Sequence, residues 1–329
     1  MKDTDYLSIS ARVRAMENRL LNRERRERMI EARTDDEAVK ILTECGYAEP
    51  EDLSVPAVDA VLSQARTELF RELRGAVPKP ALVEVFQIKY DYHNAKVLIK
   101  AAATGENPER LLMSGGRYDP AALADSFRRG ELRSCSAPFA QAVKEAGEIL
   151  SGEGDPQRAD LVLDRACYAE MSAAAKDSGS SFLQGYVRLA IDAVNLRTAV
   201  RCARMGADST LLSESMLPGG NAEPSAVVGA RGSELVQRFR SGPLEKAAEL
   251  GAALTAPGSG SLTAFEKSCD DALNAYLSGA RRVAFGEQPV VGYLCAREAE
   301  ATAVRTILAG RAAGLDGDTI RERLRDSYV

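Results

Sequence analysis

The chain has 329 residues, enough for one large domain or two to three small ones, and a chain of that size removes roughly 75% of its unfolded surface from water on folding. Hydrophobic content is 45% and charged content 28%, values that exclude both a disordered chain and a membrane-embedded one. The 43 basic residues are interleaved with 48 acidic ones for a net charge of −5, which disfavours a nucleic-acid partner.

In chain order the first predicted element is an N-terminal helix from Tyr6 to Arg28, holding Val13 and Arg14 in the run RVRAMENRLL. Its end, Arg23-Glu24-Arg25-Arg26-Glu27-Arg28, is diluted by two glutamates and lacks aromatic residues for base stacking, so it reads as a solvated helix face. Thr34 followed by Asp35, Asp36 and Glu37 reads as the cap and first turn of a helix running to Cys45, where carboxylates offset the orphan N–H groups. A helical run from Ala57 to Arg74 stops before Pro78 and Pro80. Leu82, Val85, Phe86, Tyr92, Ala95, Leu98, Ile99 and Ala102 then recur at spacings of three and four, with Glu84, Lys89, Asp91, Lys96 and Lys100 between them, which predicts one buried stripe on a helix.

The same pairing recurs twice. Asp160 to Asp177 precedes Gly179, and Leu183 to Met205 carries the stripe Leu183, Val187, Ala190, Ile191, Val194, Thr198, Cys202 and Met205, with Arg188, Asp192, Arg197 and Arg201 on other faces. Phe265 to Ala284 precedes Gly286 and Pro289, and Val290 to Leu315 follows with Leu294, Ala301, Val304, Leu308, Ala312 and Leu315, while Arg297, Glu298, Glu300 and Arg305 alternate in sign. Lys96, Arg197 and Arg305 each stand nine residues before a glycine, Gly105, Gly206 and Gly314, placed where a helix C-cap needs positive φ. No β-branched run of alternating polarity competes. The expected fold is therefore all-α, built of three pseudo-repeated long helical hairpins, and the repeat pattern divides the chain at 1–110, 111–209 and 210–329. Leu111-Leu112 before Gly115-Gly116 is echoed by Leu211-Leu212 before Gly219-Gly220, about 100 residues on, a period too long for the common helical solenoids. GGNAEPSAVVGARGSE (219–234) and PGSGS (257–261) read as mobile surface connectors.

Chemistry-bearing patterns are few. No GxxxxGK[ST] occurs and PGSGS follows no strand, so no direct nucleotide binding and no cofactor are expected. His93, in YDYHNA, reads as a packed helix residue. Cys45, Cys135, Cys167, Cys202, Cys269 and Cys295 stand singly and read as buried free thiols rather than metal ligands. Of the paired carboxylates Asp270 and Asp271, Asp271 stands four residues after Lys267 and reads as its partner in a surface ion pair. The longest charge-free stretch, Leu250 to Phe265, is broken by Pro257, Gly258 and Gly260 and is too short to span a bilayer, and the opening MKDTDYLSIS lacks the apolar core of a signal peptide, so a cytoplasmic location is expected.

Lys96, Arg197 and Arg305, with Arg14 as a fourth, occupy matching repeat positions. Around a pseudo-threefold axis they would line a shared cavity or meet an acidic partner, and the bland alternative pairs each with a carboxylate on its own helix.

The stretches YLSISARVRAMENRLL, YDYHNAKVLIKAA and above all PVVGYLCAREAEATAVRTILAGRAAGLDGDTIRERLRDSYV resemble the C subunit of V-type and A-type ATP synthases, the counterpart of the d subunit in eukaryotic vacuolar ATPases. That resemblance implies three related helical units around a pseudo-threefold axis, forming a funnel whose wide side receives the central-stalk subunits D and F and whose base sits on the membrane proteolipid ring. It implies a non-catalytic rotor part on the cytoplasmic face of the membrane, coupling ATP turnover to proton or sodium transport. Two other classes fit helical repeats: a general adaptor that gathers partner proteins, and a helical enzyme, which would need DDxxD-like or Glu-x-x-His pairs that the sequence lacks.

Overall fold

Many helices in this chain, among them those capped by Thr34, Ser54, Asp119, Ser136 and Ser180, begin where a short polar side chain replaces a missing backbone acceptor, and several end where glycine relieves the last turn. The computed structural model describes residues 3–52, 54–207, 209–256, 260–326 and 328, and among them every regular element is helical. In order these are α1 (Leu7–Glu17), α2 (Arg23–Glu31), α3 (Asp35–Glu44), α4 (Val55–Ala76), α5 (Ala81–Thr104), α6 (Pro120–Arg129), α7 (Ala137–Gly152), α8 (Pro156–Ser178), α9 (Ser181–Met205), α10 (Ser209–Ser215), α11 (Pro224–Val227), α12 (Ser233–Phe239), α13 (Glu245–Ala253), α14 (Thr263–Ser278), α15 (Glu287–Ala312) and α16 (Gly317–Arg323), with short 3₁₀ turns between some of them. Thr34 caps α3 by accepting the Glu37 N–H at 3.2 Å while Glu37 accepts the Arg33 N–H at 2.8 Å, the reciprocal pair of a capping box. Gly105, Gly206 and Gly314 follow the three long second arms with φ of 74°, 65° and 70°.

By its contacts the chain divides into two units, one made of Met1–Pro78, Arg240–Gly251 and Gly260–Val329, the other of Lys79–Phe239 and Ala252–Ser259. In the second unit α8 packs most extensively against α5 and α7, and also against α9. The α5/α8 pair is antiparallel, because Tyr92 Oη donates to Glu170 at 3.0 Å, Lys96 Nζ to Asp164 at 2.7 Å and Lys100 Nζ to Asp160 at 2.7 Å, one partner number rising as the other falls. Phe139 of α7 fills the gap edge-on to Tyr92 at 5.1 Å between ring centres. Burying a side chain such as Leu82, Phe86 or Leu183 contributes about 1.5–3 kcal/mol each.

In the first unit α15 is the centre, packing on α1, α2, α4, α14 and α16. Met29, Leu42, Leu62, Val304 and Ile307 form its core. The C-terminal tail is held down by polar contacts: Arg325 Nε donates to Asp270 at 2.7 Å, the Asp326 N–H to Asp271 at 2.8 Å, and Tyr328 Oη to Glu17 at 3.1 Å. Lys267 and Asp271 do pair, at 2.6 Å, yet with Asp270 they anchor the tail rather than form an isolated surface pair. Gly292 makes room for that tail, since a Cβ there would stand 2.7 Å from Tyr328 Oη.

Three expectations are corrected. The single N-terminal helix from Tyr6 to Arg28 is two helices broken at residues 18–22, because Asn22 caps α2 by accepting the Arg25 N–H at 2.9 Å and the Leu21 N–H is taken by Glu300. The basic run is not one solvated face: Arg26 is 8% exposed and donates to the Leu21 and Arg325 carbonyls, while Arg28 pairs with Glu44 at 2.9 Å. Residues 219–234 are not simply a surface connector, since they contain α11, and Val227 and Ala230 are buried. Of the PGSGS connector, 257–259 lie outside the described residues. Five cysteines are buried and Cys135 is half-buried.

Candidate functional site

The long helices α5, α9 and α15 bury residues on several faces, so polar side chains on them reach the interior only with partners in place. Aligning the helices on Lys96, Arg197 and Arg305 puts Asp91, Asp192 and Glu300 at one shared position, five residues earlier in each. All three acids are buried.

Asp91 holds the loop that follows α5. Its Oδ1 accepts the N–H groups of Arg117 at 2.9 Å and Tyr118 at 3.3 Å, and its Oδ2 accepts Arg117 Nε at 2.6 Å. One helical turn on, Asn94 donates to the Met113 carbonyl at 2.9 Å and accepts the Met113 N–H at 2.8 Å. Gln87 donates to the Gly116 carbonyl at 3.1 Å, and His93 Nε2 lies 3.0 Å from the Leu111 carbonyl, which explains the packed histidine. Between these contacts sits Gly116, where a Cβ would stand 2.3 Å from Asp91 Oδ1. The double glycine is therefore the shape that lets backbone approach a buried carboxylate.

On α9 the device is repeated. Asp192 accepts the N–H groups of Asn221 and Ala222, each at 3.0 Å, and the Asn221 side-chain amide at 2.7 Å. Asn195 makes the same two-way contact with Leu217, both bonds at 2.8 Å. A Cβ on Gly220 would stand 2.2 Å from Asp192 Oδ1. On α15 the matching acid works on a different segment: Glu300 accepts the Leu21 N–H, the Tyr47 hydroxyl at 2.6 Å and the Arg297 guanidinium, which also covers the Tyr47 ring at 4.2 Å. Ala303 replaces the asparagine there.

The electrostatics of the first clamp differ from simple pairing because two carboxylates share one cation. Arg117 also donates to Glu170 Oε1 at 2.7 Å. Burial pushes the Asp91 carboxyl up to about 6, more than Arg117 and the two N–H groups pull it down, whereas at Glu170 the hydrogen bonds from Arg117, Ser136 and Tyr92 overcome desolvation and hold the carboxyl below its usual range. Burial opposes the charge on Arg117, and its two acidic neighbours more than restore it.

Three of the four recurring cations are placed next to carboxylates or backbone. Lys96 meets Asp164 on α8, Arg305 meets Asp59 on α4, and Arg14 pairs with Glu17 at 2.7 Å while donating to the Ala280 and Val283 carbonyls at 2.7 and 2.6 Å. Arg197 is half-buried on α9. For Lys96 and Arg305 the carboxylate comes from another helix, not from the cation's own as the bland alternative has it. The three buried acids were missed in the sequence, although Asp91-x-x-Asn94 and Asp192-x-x-Asn195 repeat the same four-residue signal. Among the described residues no group of three or more His, Cys, Asp or Glu side chains is placed to hold a metal ion, and no helix is long and apolar enough to cross a membrane.

Among the described residues every regular element is helical, and three of the long helices, α5, α9 and α15, each fix a distant segment through a buried acid, which defines an all-helical protein. Residues 9–323 match the family described as ATP synthase (C/AC39) subunit, and the chain belongs to that family. It is 24% identical over 326 residues to the C subunit of the V-type sodium ATPase of Enterococcus hirae, covering 98% of this chain and 99% of the relative. To the C subunit of the V-type ATP synthase of Deinococcus radiodurans it is 24% identical over 340 residues, 98% of this chain and 91% of the relative. To the C subunit of the A-type ATP synthase of Halobacterium salinarum it is 28% identical over 292 residues, 81% of this chain and 77% of the relative.

Proposed function

We propose that this chain is a non-catalytic rotor subunit of a V-type or A-type ATPase, joining the central-stalk subunits D and F to the proteolipid ring of the membrane sector and so coupling ATP turnover to proton or sodium transport. The observation that carries the reading is a family match spanning residues 9–323, with the C subunit of a sodium ATPase aligned over 98% of this chain. In this reading the three repeat segments, 1–110, 111–209 and 210–329, stand about a pseudo-threefold axis as a funnel on the cytoplasmic face of the membrane. The physical demand on such a part is stiffness, because torque made in other subunits is lost in any soft linker. Long packed helices supply it, α15 with 26 residues reaching about 39 Å at 1.5 Å per residue. Loops tied to those helices by buried carboxylates add to it, since each tie removes a hinge. Arg14, Lys96, Arg197 and Arg305 are the candidate contacts to partner subunits.

The test is to mix the purified chain with purified central-stalk subunits and pass the mixture over a sizing column. A single stoichiometric complex is expected. Separate elution of every component at micromolar concentration contradicts the proposal and leaves the general adaptor in its place.

A further inference from the structure

The second unit holds one helix that is attached differently from its neighbours. Of the ten residues of α6 only Leu123 is buried, and its main packing partner is the far end of α5. Between the two lies a half-open groove of 810 Å³, its apolar lining Leu98, Ala101, Leu112, Ala124 and Phe127 and its rim polar, with Asn107 and Asp125. A helix bordering an open groove of that size lacks, on the side facing it, the dispersion contacts that hold α5 against α8.

The ends of the segment that carries α6 are, by contrast, fixed at one point. Tyr118 Oη accepts the Ser136 N–H at 2.7 Å, so the chain leaves and returns at the same place. Tyr118 is itself anchored, its N–H to Asp91 and its ring 5.4 Å from that of Phe139. Ser136 caps α7. Gly130, with φ of 70°, ends α6 and turns the chain back towards that anchor.

We propose that residues 119–135 form a lid that swings off α5 as one body, hinged where Tyr118 meets Ser136, and uncovers the apolar floor around Leu98 and Leu112. The lid is a low-stability element on a rigid base, and its motion leaves the clamp at Asp91 closed. Its basis is the packing of α6, so it holds whether or not the chain is a rotor part.

Hydrogen exchange on the full chain tests it. The amides of Leu123 to Arg129 are expected to exchange at least about tenfold faster than those of Phe86 to Ile99 in α5, at one common rate, while the Ser136 amide stays as protected as the body of α7. A smaller ratio, or rates that grade from the helix ends inwards as fraying gives, overturns the proposal. The variant Leu123→Ala is the second arm. If α6 docks as a separate lid, the change raises its exchange but lowers the melting temperature of the whole protein by less than about 2 °C. A fall of about 4 °C or more, the size expected when a leucine is truncated in a cooperative core, contradicts the lid.

Discussion

The clamps on α5 and α9 use one geometry with two kinds of charge. Both place an aspartate and, three residues later, an asparagine against a loop containing two glycines, and in both the asparagine matches one loop residue donor for acceptor. They part at the residue after the glycines. In the first it is Arg117, which bridges Asp91 to Glu170 on α8; in the second it is Asn221, whose neutral amide donates to Asp192. The backbone contacts therefore define the repeated device, and the side chain after the glycines decides whether the clamp is also wired to a neighbouring helix.

Six substitutions, in four tests, probe the difference between the two clamps. Arg117→Ala has the largest expected effect, about 3–5 kcal/mol in urea unfolding, because it leaves a buried Asp91 and a half-buried Glu170 with no cation between them, whereas Asn221→Ala at the matching position costs only about 1 kcal/mol. Equal losses at the two sites would mean that the charge network is incidental. The second effect is on pH. Asp91 titrates near 3.8 unfolded and at about 6 folded, so between those values the folded chain keeps a proton that the unfolded chain has lost. The stability this group contributes is fully present below about pH 4 and is lost as pH rises through about 6, a swing of about 3 kcal/mol. Asp91→Asn removes the swing, and the difference in unfolding free energy between wild type and variant, followed across that window, measures it.

Gly116→Ala and Gly220→Ala come next. Each sets a methyl group within 2.3 Å of a locked carboxylate oxygen, and each is expected to cost about 1–3 kcal/mol in thermal or urea unfolding. Similar costs at both sites would support a shared backbone device. The smallest effect belongs to Lys96→Ala, whose exposed pair with Asp164 is worth at most about 1 kcal/mol to the fold. A larger loss of stability would move Lys96 from partner contact to structural strut.

How far the sequence foretold this follows from where each signal lies. The long helices were legible because three- and four-residue spacing is local, and Gly105, Gly206 and Gly314 take the positive φ expected of them. The echo of double glycines was legible as a pattern, but its cause was not, because one-stripe reasoning assigns Asp91 and Asp192 to solvent. Those helices are instead covered on several sides, and burial there selects an acid with matched N–H donors. Glu300 was illegible for a stronger reason: its partner Leu21 is 279 residues away, and of the two contacts that break the N-terminal helix only the Asn22 cap is local. The Asn22 cap and the tertiary capture of the Leu21 N–H together outweighed the local preference to continue the helix.

If this chain couples ATP turnover to ion transport, assembling the rotary complex in vesicles with and without it, and following ATP hydrolysis and ion uptake together, reveals the coupling. Without the chain, hydrolysis is expected to continue while ATP-driven ion uptake stops, and adding the chain back is expected to restore uptake. Ion uptake at the full rate in its absence would contradict the account.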